Sequence, residues 1–390
     1  MVTIELDQED DPQIIFETLN ARGEPLTPSD LVRNFVFLTA TREGADVAGL
    51  YDRYWRAFDE PVDHPFWKQV ERQGRLKRSR LDLFFFHYVT FRTGDEIKEG
   101  HLYQAFREWW DSQSSRAVTD ELASLVRYAK IYRALLDPDT SSRFGRFAHR
   151  LRVLDTTVVY PTILWAAGEL GVESSELHGM MEDIESYFIR RAVCGYGSKS
   201  YSRLFLEWFS KLRQSQTAPS RAALRSMLTS SQADSAVWPA DDEFRRHLVA
   251  DPLYLTLKPR RTQMLLEALN HALRPKHSED IEIKSALTVE HVLPQGADAL
   301  NWPFSEPSGG ETIDVRWRLT HSLGNLTLLT QPLNSSVSNG PFVAKRPAIT
   351  TQSLLTLNSY FQGQSEWNEA TILERGSVLA AAATQLWPRP

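Results

Sequence analysis

The feature that most constrains the fold of this chain is the helical spacing of its apolar residues over most of the first 280 positions. Apolar side chains recur at intervals of three or four residues in segments 29–43, 79–92, 101–113, 121–136 and 174–194. Proline and glycine fall mostly between these segments, as they do between the helices of an array. The pattern predicts a mainly α-helical protein.

The composition narrows the class of protein further. A chain of 390 residues is long enough for two or three domains. The formal net charge of −6 gives no general attraction for a polyanion, so contact with nucleic acid would need local basic clusters. No apolar run reaches the roughly 18 to 20 residues of a membrane span, and residues 1–13 lack the features of a secretory signal. We therefore expect a cytoplasmic protein without membrane association.

Cys194 is the single cysteine of the sequence. One cysteine excludes an intrachain disulfide, and we expect no cysteine-based zinc site either. An isolated thiol in such a protein is typical of a small core residue.

Two changes of composition divide the chain. Residues 213–241 are rich in Ser, Ala and Gln, which indicates a connection with one short helix over 219–229. From residue 281 the pattern becomes extended chain that Pro294 ends, a loop rich in Gly, Pro and Ser (302–311), a second strand (326–330) and a closing helix (367–387).

Five polar residues follow this strand-loop-strand frame in a fixed order. Glu290 and His291 end the first strand, Asn325 begins the second, and Asn334 and Lys345 come after it. Taken singly, each has an ordinary structural explanation: a solvated strand end, a turn entry or a helix cap. Their joint order on the frame favours a functional site.

The residues TVEHVLPQ (288–295) and HSLGNLTLLTQPLNSSVSNGPFVAK (321–345) resemble the ββα-metal, or His-Asn-His, nuclease motif. The likeness is strongest to the version at the C-terminus of the GmrSD type IV restriction endonucleases, and it continues through Trp367, Ile372, Arg375 and Trp387. The resemblance implies a helical array followed by a C-terminal ββα-metal nuclease domain embedded in helices.

Upstream segments resemble the same family. Residues 185–205 are similar to its helical middle segment, and residues 14–37 to the last conserved stretch of its GmrS-type N-terminal domain. The Asp-Gly-Gln-Gln-Arg motif that precedes that stretch in the family does not occur here, so dependence on a nucleotide is not carried over. We expect a chain that begins partway through that domain, with a remnant at 1–40, a helical domain at 41–240 and a nuclease domain at 241–390.

The resemblance also implies roles for individual residues. His291 would be the general base that activates water, and Asn325 would hold the loop that aims it. Glu290 and Asn334 would be oxygen ligands of one Mg²⁺ or Mn²⁺ ion. The implied activity is a DNA endonuclease that acts against phage or modified foreign DNA.

Substrate contacts are predicted at four further positions. His321 and Lys345 would reach a phosphate, and Arg260 and Arg261 belong to the basic cluster KPRR (258–261), where a DNA backbone could dock. Basic clusters at 72–80 and 143–152 are equally typical of solvated helix faces. Adjacent arginines at 190 and 191 would bind phosphate or pair with buried acids, and the sequence does not choose between these roles.

Two alternative functions remain open. The chain could be a non-catalytic or partner-dependent subunit that docks a separate GmrS-like nucleotide-binding protein. An RNA-directed nuclease is a weaker alternative, because metal-and-histidine chemistry does not itself select the sugar.

Overall fold

A computed structural model describes residues 26–59, 64–113, 117–214, 218–275, 283–297, 300–303, 312–337 and 339–390. Most of these residues are helical, which confirms the prediction of a mainly α protein. The stretch at 14–37 that resembles the GmrS-type domain lies partly outside the described residues, as does most of the loop at 302–311. No helix in the described ranges is both long enough and apolar enough to cross a membrane.

The α-helices are α1 Pro28–Arg42, α2 Val47–Leu50, α3 Arg56–Asp59, α4 His64–Lys68, α5 Arg80–Thr93, α6 Leu102–Asp111, α7 Val118–Leu136, α8 Arg143–Leu154, α9 Tyr160–Leu170, α10 Ser175–Val193, α11 Tyr201–Gln214, α12 Arg221–Leu228, α13 Asp241–Ala250, α14 Leu253–Thr256, α15 Pro259–Ala272, α16 Thr312–Thr320, α17 Gln331–Val337, α18 Phe342–Gln352 and α19 Glu369–Leu386. The strands are β1 Val70–Gln73, β2 Leu76–Ser79, β3 Leu287–His291 and β4 Leu326–Thr330. A π-helical turn covers Tyr51–Trp55, and 3₁₀ turns cover Leu323–Asn325 and Thr356–Gly363.

The chain divides into two compact units. The first contains the described residues up to Ala148, together with Thr157–Leu177 and Ser202–Pro219. The second contains His149–Thr156, His178–Tyr201 and Ser220–Pro390. The boundary between the two units at Pro219 lies within the connection predicted at 213–241. The short helix predicted inside that connection is α12. The division into a remnant, a helical domain and a nuclease domain stays a prediction.

The first unit has an aromatic core. Phe84 and Phe85 of α5 are fully buried and Trp109 of α6 nearly so, which places these rings in the core. His87 is buried in the same helix, where its Nε2 lies 2.8 Å from Oε1 of Gln73. Burial lowers the pKa of His87 to about 3, so this histidine is a neutral packing residue.

One part of the first unit departs from the helical expectation. The basic stretch around residues 72–80 contains the antiparallel pair β1 and β2, in which Val70 faces Ser79. Gly74 makes the tight turn possible, because its φ of +59° lies in the left-handed region that glycine adopts without strain. A four-residue strand is too short for its alternation to stand out in the sequence.

In the second unit, helices pack against a small two-stranded sheet. Strands β3 and β4 pair antiparallel, with Leu287 opposite Thr330 and His291 opposite Leu326, and α17 follows directly. The predicted strand at 326–330 and the closing helix at 367–387 are confirmed by β4 and α19. The sheet and helices share a buried apolar cluster that includes Val292, Leu293, Leu319, Leu329, Phe361, Trp367 and Ile372.

Arg190 and Arg191 have structural roles in the second unit. Both side chains are fully buried. Arg190 Nη2 lies 2.7 Å from the Asp241 carboxylate, and Arg191 Nη1 donates to the Val237 carbonyl at 2.6 Å. The alternative of a phosphate contact is therefore not supported, because neither guanidinium faces solvent.

Candidate active site

The sheet brings His291 and Asn325 to the same end of the β3–β4 pair. His291 is the last residue of β3 and pairs with Leu326, the first residue of β4. The chain leaves β3 at Val292, whose amide donates to the Asn325 carbonyl at 3.0 Å. Val292 and Asn325, which are 33 positions apart in the sequence, thus meet at this end of the strand pair.

The Asn325 side chain ties the two loops together. It is completely buried. Its Oδ1 accepts from the Leu293 amide at 2.7 Å and from Trp367 Nε1 at 2.9 Å. Its Nδ2 donates to the carbonyls of Leu293 at 2.9 Å and Thr320 at 2.7 Å. The two bonds to Leu293 fix the backbone that follows His291, and the other two tie Asn325 to Thr320 and Trp367.

Helix α19 packs against the turn at Gly324. A Cβ atom at Gly324 would lie 2.0 Å from the Ile372 carbonyl oxygen, so only glycine permits this approach. Arg375 Nη1 donates to the carbonyls of Gly324 at 2.7 Å and Leu326 at 2.8 Å. Burial lowers the pKa of Arg375 to about 9, which reflects the free-energy cost of this fully buried guanidinium.

Replacing Asn325 with alanine is expected to destabilise the protein by about 3 kcal/mol, because buried backbone groups lose their hydrogen-bond partners. Chemical denaturation measures the free energy of unfolding. Asn334→Ala is the control, and its cost should stay below about 1 kcal/mol because that side chain is half-buried. Equal losses in the two variants would contradict the structural role of Asn325.

The imidazole of His291 is held by three neighbours. Its Nε2 lies 3.2 Å from Nδ1 of His321, and its Nδ1 lies 3.4 Å from the Gln295 amide nitrogen. The Tyr254 ring meets it edge-on, with ring centroids 4.6 Å apart. Because an amide nitrogen can only donate, Nδ1 of His291 is the acceptor and Nε2 carries the proton. The ring is therefore fixed with one lone pair at Nδ1.

Burial, the neighbouring His321 and the Lys345 charge lower the pKa of His291 to about 4. Burial also lowers the pKa of His321. Both rings are therefore neutral near pH 7, which is the state that a general base requires.

Glu290 is paired with Lys345. The Lys345 ammonium lies 2.5 Å from Glu290 Oε1 and 3.2 Å from the His291 carbonyl. The Lys345 side chain is completely buried and that of Glu290 is 14% exposed. Burial raises the pKa of Glu290, and the Lys345 charge opposes that shift. Lys345 therefore faces inward onto Glu290, and its expected phosphate contact stays a prediction.

Asn334 lies on helix α17, above the same face of the sheet as Glu290. Its Nδ2 donates to the Thr288 hydroxyl at 2.9 Å. Side chains two residues apart on a strand share a face, so Thr288 and Glu290 point to the same side. The bond uses the amide nitrogen of Asn334 and leaves its carbonyl oxygen available as a ligand.

Arg260 and Arg261 begin helix α15, which packs against β3. Arg260 is exposed, as a phosphate contact requires. Arg261 is half-buried, and its Nη2 donates to the Leu154 carbonyl at 2.9 Å. Of the two, Arg260 is the more exposed.

Tyr254 and the pairing of Glu290 with Lys345 are not predictable from the sequence. Tyr254 stands in the short helix α14, and its amide also bonds to the His321 carbonyl at 3.1 Å. Nothing in the spacing of Asp251-Pro252 and the residues after it signals contact with a strand 37 residues later. A buried Lys345 is equally invisible in sequence, because lysine is normally exposed.

The second unit is thus a helical domain around a two-stranded sheet that carries a buried pair of neutral histidines. Residues 238–382 match the family model described as GmrSD restriction endonucleases, C-terminal domain, which supports a GmrSD-type restriction endonuclease C-terminal domain over this part of the chain. No curated protein matches the chain.

Proposed function

We propose that this chain is a metal-dependent DNA endonuclease in which Nδ1 of His291 is the general base. The observation that carries the proposal is the neutral, fixed imidazole of His291 at the end of a sheet within the region that matches the GmrSD C-terminal domain. Phosphodiester hydrolysis needs a group that removes a proton from water near pH 7, and a neutral histidine meets that need.

The surrounding residues complete the proton-transfer chemistry. The Nε2–H of His291 donates to Nδ1 of His321, which leaves the Nε2–H of His321 as a donor for a phosphate oxygen. Proton uptake at Nδ1 of His291 produces an imidazolium, and its Nε2–H bond to His321 stabilises that charge. Asn325 takes no part in proton transfer but keeps the strand end in position.

The residues on the Glu290 face have oxygen donors that suit Mg²⁺ or Mn²⁺. Glu290 offers a carboxylate oxygen besides the one bonded to Lys345, and Asn334 offers its amide oxygen. Magnesium sites in nucleases commonly use one or two such protein ligands, with water and substrate phosphate completing the shell. When bound, the ion would stabilise the charge that develops on the phosphate. Because Lys345 offsets the charge of Glu290, we expect weak ion binding until DNA adds its phosphates.

Metal dependence tests the proposal directly. The purified 390-residue chain should nick or cut duplex DNA with Mg²⁺ or Mn²⁺ and should be inactive in excess EDTA. Asn334→Ala should raise the concentration of metal needed for half-maximal rate at least about 10-fold, by analogy with the cost of losing a metal-site residue. Cleavage that persists in EDTA would rule out the metal-dependent mechanism.

The pH dependence of cleavage should follow the lowered pKa of His291. The base acts in its neutral form, and a pKa near 4 keeps that form populated well below pH 6.5. We expect kcat/KM to stay nearly constant from pH 8 to about pH 5.5 and to fall only towards pH 4, measured where circular dichroism shows the protein folded. A midpoint near 6.5 would show that His291 is not desolvated as the structure indicates.

One observation favours the alternative of a partner-dependent subunit. The carboxylate expected to bind the ion is already neutralised by Lys345. If that pair opens only when a partner binds, the isolated chain would be folded and inactive at every Mg²⁺ and Mn²⁺ concentration, and activity would appear on addition of a GmrS-like protein.

A further inference from the structure

A second group of metal-ligating side chains lies apart from the β3–β4 sheet. Cys194 directly follows α10, and Glu243 and His247 are one turn apart on α13. One potential ligand atom from each of the three lies within 4.8 Å of the other two. All three residues are half-buried, so Cys194 is not the small core residue expected from the sequence, and the expectation that this single cysteine forms no zinc site is revised below.

Neighbouring side chains hold two of these ligands in place. The Tyr196 hydroxyl donates to Glu243 Oε1 at 2.7 Å, which leaves Oε2 uncommitted by that bond. Nδ1 of His247 donates to the Asp251 carboxylate at 2.6 Å, which orients the ring and makes its other nitrogen more basic. A carboxylate behind a histidine is the usual support of a metal ligand.

We propose that Cys194, Glu243 and His247 form a binding site for one borderline-soft divalent cation of the Zn²⁺ type, with water as the fourth ligand. A thiolate, an imidazole and one carboxylate are the donors that zinc takes in tetrahedral sites, whereas Mg²⁺ and Mn²⁺ prefer oxygen donors alone. We assign Nε2 of His247 to the ion, because Nδ1 is bonded to Asp251. The site is distinct from the oxygen donors Glu290 and Asn334.

The spacing of the ligands is compatible with such an ion after a small adjustment. Bonds of about 2.0 to 2.3 Å place the ligands of a tetrahedral zinc ion about 3.5 Å apart. The three atoms therefore need to close by at most about 1.3 Å, within reach of side-chain torsions in half-buried residues. Because only side chains need to move, the site can bind an ion without a change in helices α10 and α13.

Binding of the ion would displace the proton of the Cys194 thiol, because the thiolate is the form that coordinates a metal. A bound Zn²⁺ ion deprotonates a coordinating thiol, and the proton is released to solvent. The ion would then join the end of α10 to α13, two helices of the second unit, and stabilise that unit.

Cobalt substitution tests the site in the 390-residue chain. Co²⁺ should give one equivalent of near-ultraviolet thiolate-to-cobalt absorption, and Zn²⁺ should displace it. Because Cys194 is the single cysteine of the chain, this absorption reports on this site alone. Cys194→Ser should abolish the absorption, and Zn²⁺ should raise the thermal midpoint of the wild-type protein but not that of the variant.

Two more variants separate ligand loss from misfolding. Glu243→Gln and His247→Gln keep the thiol, so each should retain the thiolate absorption while weakening Co²⁺ binding at least about 10-fold. His271→Gln replaces an exposed histidine of the same unit and should bind Co²⁺ as the wild type does. The proposal is overturned if the wild-type protein shows no thiolate absorption, or if Glu243→Gln and His247→Gln bind Co²⁺ with wild-type affinity.

Discussion

Replacing His291 with glutamine is expected to lower the rate of DNA cleavage by at least about 100-fold, and by up to about 10,000-fold. Glutamine keeps a hydrogen-bonding side chain beside His321 but cannot accept a proton near pH 7. The measurement is the single-turnover rate on duplex DNA with saturating Mg²⁺ or Mn²⁺. A large fall in rate with unchanged DNA affinity would place His291 in the chemical step.

The controls distinguish a lost base from a damaged fold. His271→Gln changes an exposed histidine of the same unit and should cleave at the wild-type rate. His291→Gln itself should unfold in a single transition within about 2 kcal/mol of the wild type, since the substituted side chain still fills the site. Wild-type activity in His291→Gln would remove this residue from the mechanism.

Lys345→Met should destabilise the protein by about 3 to 5 kcal/mol at neutral pH, which is the usual cost of leaving a buried charge without its partner. Methionine matches lysine in length, so the change removes the charge and little of the packing. The ammonium of Lys345 is fully buried against Glu290, which is itself mostly buried. Urea denaturation at several pH values measures the loss.

The sign of the pH effect follows from Glu290. Burial already raises its pKa, and loss of the Lys345 charge should raise it further. A carboxyl with a raised pKa in the folded state opposes folding at pH above its unfolded value of about 4.3. The loss in Lys345→Met should therefore be largest at neutral and alkaline pH and should shrink as the pH falls and Glu290 takes up a proton.

The double variant Glu290→Gln/Lys345→Met supplies the matched control. It removes both charges, so most of the lost stability should return and the pH dependence should disappear. A single variant Lys345→Met with wild-type stability at pH 8 would show that the pair does not form in solution.

The order of the site residues could be predicted because local patterns carry it. Five residues with β-branched and leucine side chains, bounded by Asn325 and Gln331, predict a strand, and β4 covers Leu326–Thr330. Asn325 lies at the start of this strand, and its side chain holds the loop that follows His291. By contrast, the hairpin at 70–79 was missed, because strands of four residues are too short to show a period of two.

The sequence by itself determined the helical class, the strand pair and the order of Glu290, His291, Asn325 and Asn334, because each depends on spacing along a few neighbouring residues. Only the tertiary structure decided which groups those residues meet. It placed His321 and Tyr254 on the His291 ring, and the Lys345 ammonium on Glu290. Such contacts depend on burial and on approaches between distant segments, and burial sets the charge states of His291 and Glu290.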